Sequence, residues 1–175
     1  MEYHPWKGPD QDELMKASNN GFTVIEMVVV MAIIAILALL AIPSFQGKII
    51  KDQIVEAGPV ADVAKKRIAA AWEATQTLPV DNPSAGLPLP DKMVSNVVSS
   101  VTVEGGAIHV TFGNRANKLL QGKILTFRPG IVEDAPIVPI AWVCGFARVP
   151  DKMTAKGENR TNIPTNYLPI TCRAS

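Results

Sequence analysis

The sequence predicts an α+β fold in which a long N-terminal helix, half transmembrane and half amphipathic, packs on a small antiparallel β-sheet. Residues 22–42 form an almost uninterrupted apolar run, and residues 45–72 place apolar side chains at spacings of three to five. Beyond residue 96, segments rich in Val, Ile and Thr alternate with turn residues. The chain has 175 residues, 47% hydrophobic and 19% charged, which suits one modest domain and one membrane segment.

The apolar segment from Phe22 to Ile42 is the first element. As an α-helix it would extend roughly 30 Å, the thickness of the hydrocarbon core of a bilayer. Glu26 is its one charged residue, and a carboxylate there costs roughly 2.5 to 3.5 kcal/mol on insertion scales. One interpretation is a helix-end residue that reaches the headgroups. The other requires cleavage between Gly21 and Phe22, which creates an α-ammonium group four residues before Glu26 that can pair with a carboxylate.

The residues before this segment form a leader. Residues 1–14 are acidic and contain two prolines, unlike the positively charged start of an export signal. From Met15 the sequence reads MKASNNG, so we expect Met15 to be the true start, with a genuinely long leader as the alternative. Ordinary secretory signals are cut after their apolar region, whereas the boundary at Gly21 precedes it. Removal of residues 1–21 takes away two lysines and four acidic residues, and leaves a mildly basic chain that does not resemble a nucleic-acid-binding protein in composition.

This boundary resembles that of type IV pilins, and of type IVa-like prepilins in particular. Their precursors carry a glycine, a phenylalanine and then a hydrophobic stretch with glutamate at the fifth mature position. Gly21, Phe22, Thr23 and Glu26 match position for position. Pro43 falls at the twenty-second mature position, where the best-known pilins have a proline that loosens the helix.

The resemblance implies a structural subunit, major or minor, and not an enzyme. A prepilin peptidase would cut after Gly21, and the amine of Phe22 would be methylated. Glu26, with Thr23, would set the register of assembly, and Pro43 would bend the helix. The subunit would wait in the inner membrane with a periplasmic globular domain. The pilus assembly machinery would then add it, with copies of itself and other pilins, to an extracellular filament for adhesion, twitching motility or DNA uptake.

Two alternatives remain open at this point. A type II secretion pseudopilin shares the leader and the glutamate, but it commonly lacks a C-terminal disulfide. A membrane-anchored periplasmic domain that never polymerises would merely tolerate Glu26. The resemblance is close over Lys16–Glu56, and beyond that it extends only to a general plan of helix, sheet and C-terminal cysteine pair.

The sequence after residue 42 indicates the remaining elements. The amphipathic helix continues to about Thr75, with a bend or local looseness at Gly58-Pro59. Four prolines and a glycine in Leu78–Asp91 predict an irregular connection, and Glu104-Gly105-Gly106 predicts a hairpin turn. The predicted strands are 97–103, 107–112, 122–128 and 136–146. The predicted segments are a leader (1–21), a transmembrane helix (22–42), an amphipathic helix (43–77), a loop (78–96), a sheet (97–146) and a disulfide-bounded C-terminal region (147–175).

The two cysteines, Cys144 and Cys172, both follow the apolar segment. An even number beyond a membrane anchor favours a disulfide, with two buried free thiols as the alternative. A bridge would close a loop of about 29 residues and stabilise the fold by roughly 3 to 4 kcal/mol. Neither His4 nor His109 lies beside the cysteines in sequence, so we predict no metal site. No phosphate loop, cofactor motif or nucleophile with a nearby base is visible, which argues against catalysis.

Three weaker signals concern the surface. Asn159-Arg160-Thr161 matches an N-glycosylation pattern, although chance explains a three-residue match better. Ser175 resembles the terminal serine on which some pilins are glycosylated. Lys152, Lys156 and Arg160 form a basic group that could contact DNA phosphates, with a solvated loop of mixed charge as the simpler interpretation.

Overall fold

The computed structural model describes residues 21–174, apart from the side chains of residues 41–46. The chain divides into two units, Met1–Ile42 and Pro43–Ser175. Its elements in chain order are α1 (Val24–Glu56), α2 (Gly58–Thr75), a 3-10 turn (Pro90–Lys92), β1 (Val98–Glu104), β2 (Ala107–Phe112), β3 (Ile124–Ile131), β4 (Ala141–Cys144), β5 (Thr154–Ala155) and a second 3-10 turn (Ile170–Cys172).

In the first unit, every residue from 21 to 40 is exposed. The exposed fraction of its large apolar side chains runs from 42% at Val30 to 83% at Val24. No helix within the described residues is both long and apolar enough to cross a membrane. The transmembrane prediction for residues 22–42 reaches past the described side chains, and it stays a prediction.

In the second unit, the helix is interrupted where the sequence predicted a bend. Glu56 ends α1 and Gly58 begins α2, with Pro59 in the first turn, because proline has no N–H for the preceding turn and its fixed φ suits a helix start. At the other end, Gln76 adopts a left-handed φ of 55° and its N–H bonds to the Trp72 carbonyl. The predicted bend at Pro43 concerns a residue whose side chain lies outside the described set, and it stays a prediction.

One apolar stripe continues across the break between α1 and α2. Its members recur every three or four residues, so the same face of both helices is turned inward. The buried members are Ile50, Ile54, Ala57, Ala61, Ala64, Ile68 and Trp72.

The sheet that receives this stripe has the order β1-β2-β3-β4, all antiparallel, with β5 paired to the end of β3. The predicted turn after Glu104 joins β1 to β2, with Gly105 and Gly106 at φ of 54° and 83°. The predicted strand 136–146 is shortened to Ala141–Cys144, since Pro136 and Pro139 have no N–H for a ladder. Strand β5 was not predicted, because two residues carry no periodicity.

The core lies between the helices and one face of the sheet. Phe112, Val101 and Leu125 from the first three strands are at most 1% exposed. Lys65 on α2 places its ammonium group 4.1 Å from the centre of the Phe127 ring on β3, a cation–π contact that links the two layers.

The connection between α2 and β1 covers the edge of the sheet. The Asn82 side chain, 2% exposed, donates from Nδ2 to the Val101 carbonyl at 2.9 Å and accepts at Oδ1 from the Val103 N–H at 2.7 Å. Nearby, the Gly106 N–H donates to the Pro79 carbonyl at 2.8 Å. The Val101 carbonyl and the Val103 N–H of the edge strand β1 are therefore paired within the chain instead of being offered to another strand.

Candidate functional site

The residues predicted to direct processing and assembly lie just before α1 and in its first turn. The Glu26 N–H donates to Thr23 Oγ1 at 3.3 Å, and the Met27 N–H donates to the Thr23 carbonyl at 3.2 Å. Thr23 is therefore the cap of the helix that carries Glu26. Among the described residues, no atom lies within 4 Å of the position of a Cβ added to Gly21, and Phe22 is 73% exposed. The cleavage between these two residues stays a prediction.

The electrostatics of this turn suit a carboxylate. Glu26 lies in the first turn of α1, where unpaired backbone N–H groups give the helix end a partial positive charge. Its side chain forms no ion pair with any residue that the structure describes. An exposed carboxylate at the start of an exposed apolar helix can pair with an ammonium group once both are removed from water.

The cysteine pair forms the disulfide that the sequence predicted. Cys144, at the end of β4, is bonded to Cys172, with their Cα atoms 4.6 Å apart. The Phe146 N–H donates to the Cys172 carbonyl at 2.9 Å. A Cβ on Gly145, whose φ is 54°, would lie 2.9 Å from that same oxygen. The C-terminal region is thus fixed to the sheet by covalent and backbone bonds together.

A buried polar network lies between the sheet and the C-terminal segment. Thr126 Oγ1 lies 3.0 Å from His109 Nδ1 and accepts the Arg160 N–H at 3.1 Å. The Thr126 N–H donates to Thr161 Oγ1 at 3.0 Å. His109 is 3% exposed, and its burial, followed by the nearby Arg160 guanidinium group, lowers its pKa from the ordinary 6.5. Sequence reasoning missed this network, because its partners are at least 17 residues apart.

Comparisons with known proteins agree with the geometry of both ends of the chain. Residues 51–173 match the family model described as pilin, a bacterial filament, and residues 16–42 match that of the prokaryotic N-terminal methylation motif. The chain belongs to the pilin family. The predicted resemblance and the predicted α+β fold are confirmed, and a pilin is a structural subunit and not an enzyme.

Named relatives extend this similarity over most of the chain. The pilin is 33% identical over 165 residues to the type IV major pilin protein PilE1 of Neisseria gonorrhoeae, covering 91% of this chain and 89% of that protein. It is 30% identical over 163 residues to the fimbrial protein EcpC of Eikenella corrodens, covering 91% and 94%. It is 33% identical over 123 residues to the fimbrial protein Q of Moraxella bovis, covering 62% and 78%.

The basic group proposed for DNA contact is largely occupied within the pilin itself. Lys156 pairs with Glu133. Arg160 pairs with Glu104 at 2.6 Å and with Glu158 at 3.0 Å. The hydrogen bond to Glu158 contributes most to raising the pKa of Arg160, followed by the hydrogen bond to Glu104. Two of the three predicted cations therefore already have carboxylate partners, which weakens the case for phosphate contacts.

The glycosylation pattern of the pilin is used for internal bonds. Asn159 Nδ2 donates to the Gly145 carbonyl at 2.9 Å, and its Oδ1 accepts the Thr161 N–H at 3.1 Å. An amide held in this way supports the connection to the disulfide and is poorly placed to accept a sugar. Ser175 and His4 lie outside the described residues.

Two further surface features had no assigned role in the sequence analysis. A cleft of about 490 Å³ is lined by Glu73, Gln76, Pro136 and Ile137. Residues 113–123, which join β2 to β3, contain three basic residues and no acidic one. The positive charge of this loop can be read from the sequence. The cleft joins residues about 60 positions apart, so no sequence pattern indicates it.

Proposed function

We propose that this pilus subunit is a type IVa pilin that is cut after Gly21, methylated on the Phe22 amine and assembled through its N-terminal helix. The observation that carries the proposal is the helix itself. Its residues from 21 to 40 are all exposed, and Glu26 is the one charged residue among them. The match to the methylation motif over residues 16–42 supports the same interpretation.

Assembly moves this helix from one apolar environment to another. Lipid tails and a bundle of identical helices are similarly apolar, so the transfer itself brings little hydrophobic gain. Packing and charge must then set the register of the subunits. We assign this role to Glu26, which pairs with the Phe22 ammonium group of an adjacent subunit, while Thr23 holds the turn that presents the carboxylate.

Before assembly, the apolar helix holds the subunit at the inner membrane, with the second unit, Pro43–Ser175, in the periplasm. We call this second unit the globular unit. The Cys144–Cys172 disulfide fits an oxidising compartment. Prepilin peptidase and the pilus assembly machinery are the expected partners, together with other copies and other pilins. The names of the relatives, major pilins and fimbrial proteins, favour a pilus over a secretion-system filament and over a static anchor. Adhesion, twitching motility and DNA uptake are the candidate uses of this filament.

Substitution of the carboxylate tests the assembly mechanism. In Glu26→Ala, we expect cleavage to continue while sheared filaments fall at least roughly tenfold, because a lost charge pair of about 1.4 kcal/mol or more changes an equilibrium by that factor. Glu56→Ala is the matched control, since Glu56 is an exposed carboxylate farther along the same helix. Filament yields for Glu26→Ala that equal those of the control would contradict the assigned role.

Mass spectrometry of the membrane and sheared fractions tests the processing step. We expect an N-terminal peptide that begins with N-methylated Phe22 in both fractions. An uncut N-terminus in cells that carry an active prepilin peptidase would contradict the proposal and favour a static anchor.

A further inference from the structure

The cleft at the C-terminal end of α2 is acidic and partly apolar. Ile137, on the connection from β3 to β4, is 92% exposed at its edge. Glu73 lines the same cleft, and it forms no ion pair with any residue in the described part of the chain. Asp134 does not line the cleft but precedes the lining residue Pro136 by two positions; it is exposed and forms no ion pair with any described residue. This surface, the acidic cleft, suits a partner that offers a cation next to an apolar side chain.

The connection from β2 to β3 presents the opposite chemistry. Within residues 113–123, Arg115 and Lys118 are exposed, and neither forms an ion pair in the described structure. Leu119, beside Lys118, is 50% exposed. We call this surface the basic loop. It places a cation next to an apolar side chain, which is the complement of what the acidic cleft provides.

The basic loop is fixed in place before any partner arrives. The Asn117 N–H donates to Gln53 Oε1 on α1 at 2.8 Å. The Asn114 side chain donates to two carbonyls of the neighbouring chain segment at 2.8 and 2.7 Å, and Leu120 is fully buried in the core. A loop ordered in this way loses little conformational entropy on binding.

The two surfaces lie at opposite ends of the helical stripe. The basic loop is bonded to α1 at Gln53, and the acidic cleft is lined by α2 at Glu73 and Gln76. The buried stripe from Ile50 to Trp72 keeps the helical period throughout. Twenty residues at about 1.5 Å per residue separate the two surfaces by roughly 30 Å along the helices.

A filament of identical subunits that all point the same way brings unlike ends together. Its interface is heterologous, so the surface at one end of a subunit faces the surface at the other end of a neighbour. We propose that the basic loop of one copy docks on the acidic cleft of another, with Lys118 paired to Glu73 and Leu119 packed against Ile137. This inference rests on the proposed filament function and concerns the globular units instead of the N-terminal helix.

A second copy fits both surfaces better than a lipid surface does. Anionic headgroups would attract the basic loop, but they would be repelled by Glu73 and Asp134. A second copy supplies the partner for each surface at once and explains why the two have opposite charge. Complementary charge of this kind fixes register and suppresses wrong pairings.

Charge reversal in the full-length protein tests the docking pair. We expect Lys118→Glu and Glu73→Lys each to lower the yield of sheared filaments by roughly tenfold, because each places like charges opposite one another. The combined variant Lys118→Glu/Glu73→Lys restores the attraction and should return most of the yield. Lys152→Glu, at an exposed lysine outside both surfaces, is the matched control.

The outcomes separate this inference from the proposed function. Failure of the wild-type chain to enter any filament would overturn the proposed function. Filaments whose yield ignores both single reversals, or falls with both and is not restored by the combination, would overturn the docking pair. A loss with Lys118→Glu alone would also overturn it and indicate anionic lipid. Thermal unfolding of each variant shows that its globular unit is folded.

Cysteine pairing gives a second measurement that does not depend on yield. With Leu119→Cys and Ile137→Cys on the same chain, oxidised filaments should give a ladder of covalent multimers on non-reducing denaturing gels, since a disulfide requires Cα atoms within about 7 Å. Either cysteine alone gives no ladder. The absence of a ladder from abundant filaments of the double variant would contradict the proposed contact.

Discussion

Two stretches of apolar helix in this pilin meet water very differently. Apart from Thr23 and Glu26, residues 22–40 are apolar and all are exposed, whereas residues 50–72 are apolar along one stripe and bury it against the sheet. The second stretch finds its partner in its own chain. The first has no such partner within the residues described, and an exposed apolar surface of this size marks an interaction site. The comparison indicates that the fold of the globular unit draws on the second stretch, while the first stretch is left free for the assembly contacts that we propose.

One pair of substitutions tests this separation most strongly. We expect Ile68→Ala, at a fully buried position, to lower the free energy of unfolding of the globular unit by about 2 to 5 kcal/mol, because it leaves a cavity in the core. Ile36→Ala removes the same atoms from a side chain that is 59% exposed, and it should leave that free energy unchanged. Urea unfolding followed by circular dichroism measures both.

One result would contradict the expected difference between Ile68→Ala and Ile36→Ala. A loss of stability of the globular unit in Ile36→Ala comparable to that in Ile68→Ala would mean that the N-terminal helix takes part in folding. We expect Ile36→Ala to lower the yield of sheared filaments instead.

The next largest expected loss of stability is at the edge strand β1, where Asn82 of the same globular unit pairs two backbone polar groups. Asn82→Ala removes the partners of the Val101 carbonyl and the Val103 N–H. Each buried polar group left unpaired costs about 1 to 3 kcal/mol, so the loss of two partners should lower the free energy of unfolding in urea by at least about 2 kcal/mol. Asn166→Ala, at an exposed asparagine, is the control. Equal midpoints for the two variants would show that water replaces the bonds of Asn82.

The same comparison shows how far sequence could predict this structure. Local features were accessible: the helical spacing from Ile50 to Trp72, the break at Pro59 and the turn after Glu104 each depend on neighbouring residues. The disulfide followed from the number of cysteines and their place after the apolar segment. The role of Asn82 was not accessible, because its partners on β1 are 19 and 21 residues away.

The candidate sites divide in the same way. The motif at Gly21, Phe22 and Glu26 spans six consecutive positions, so the amino-acid sequence alone is enough to recognise it. The acidic cleft joins Glu73 to Ile137 only in the folded chain.

The smallest expected effect is a pH dependence of the globular unit. His109 is the one histidine in the sequence after residue 21. It faces Glu104 from β1, Thr126 from β3, and Glu158 and Arg160 from the C-terminal segment. Burial, and then Arg160, lowers its pKa below the ordinary 6.5, while the two carboxylates oppose that shift.

The sign of the effect follows from proton binding. Because the folded state holds its proton less tightly, the unfolded chain binds more protons as pH falls through about 6.5, and stability is lost there. One proton sets an upper limit of about 1.4 kcal/mol per pH unit. The free energy of unfolding, measured by urea titration from about pH 7.5 to 5.5, should therefore decline in the wild type and stay flatter in His109→Gln. An equal decline in both proteins would show that the buried histidine is not its source.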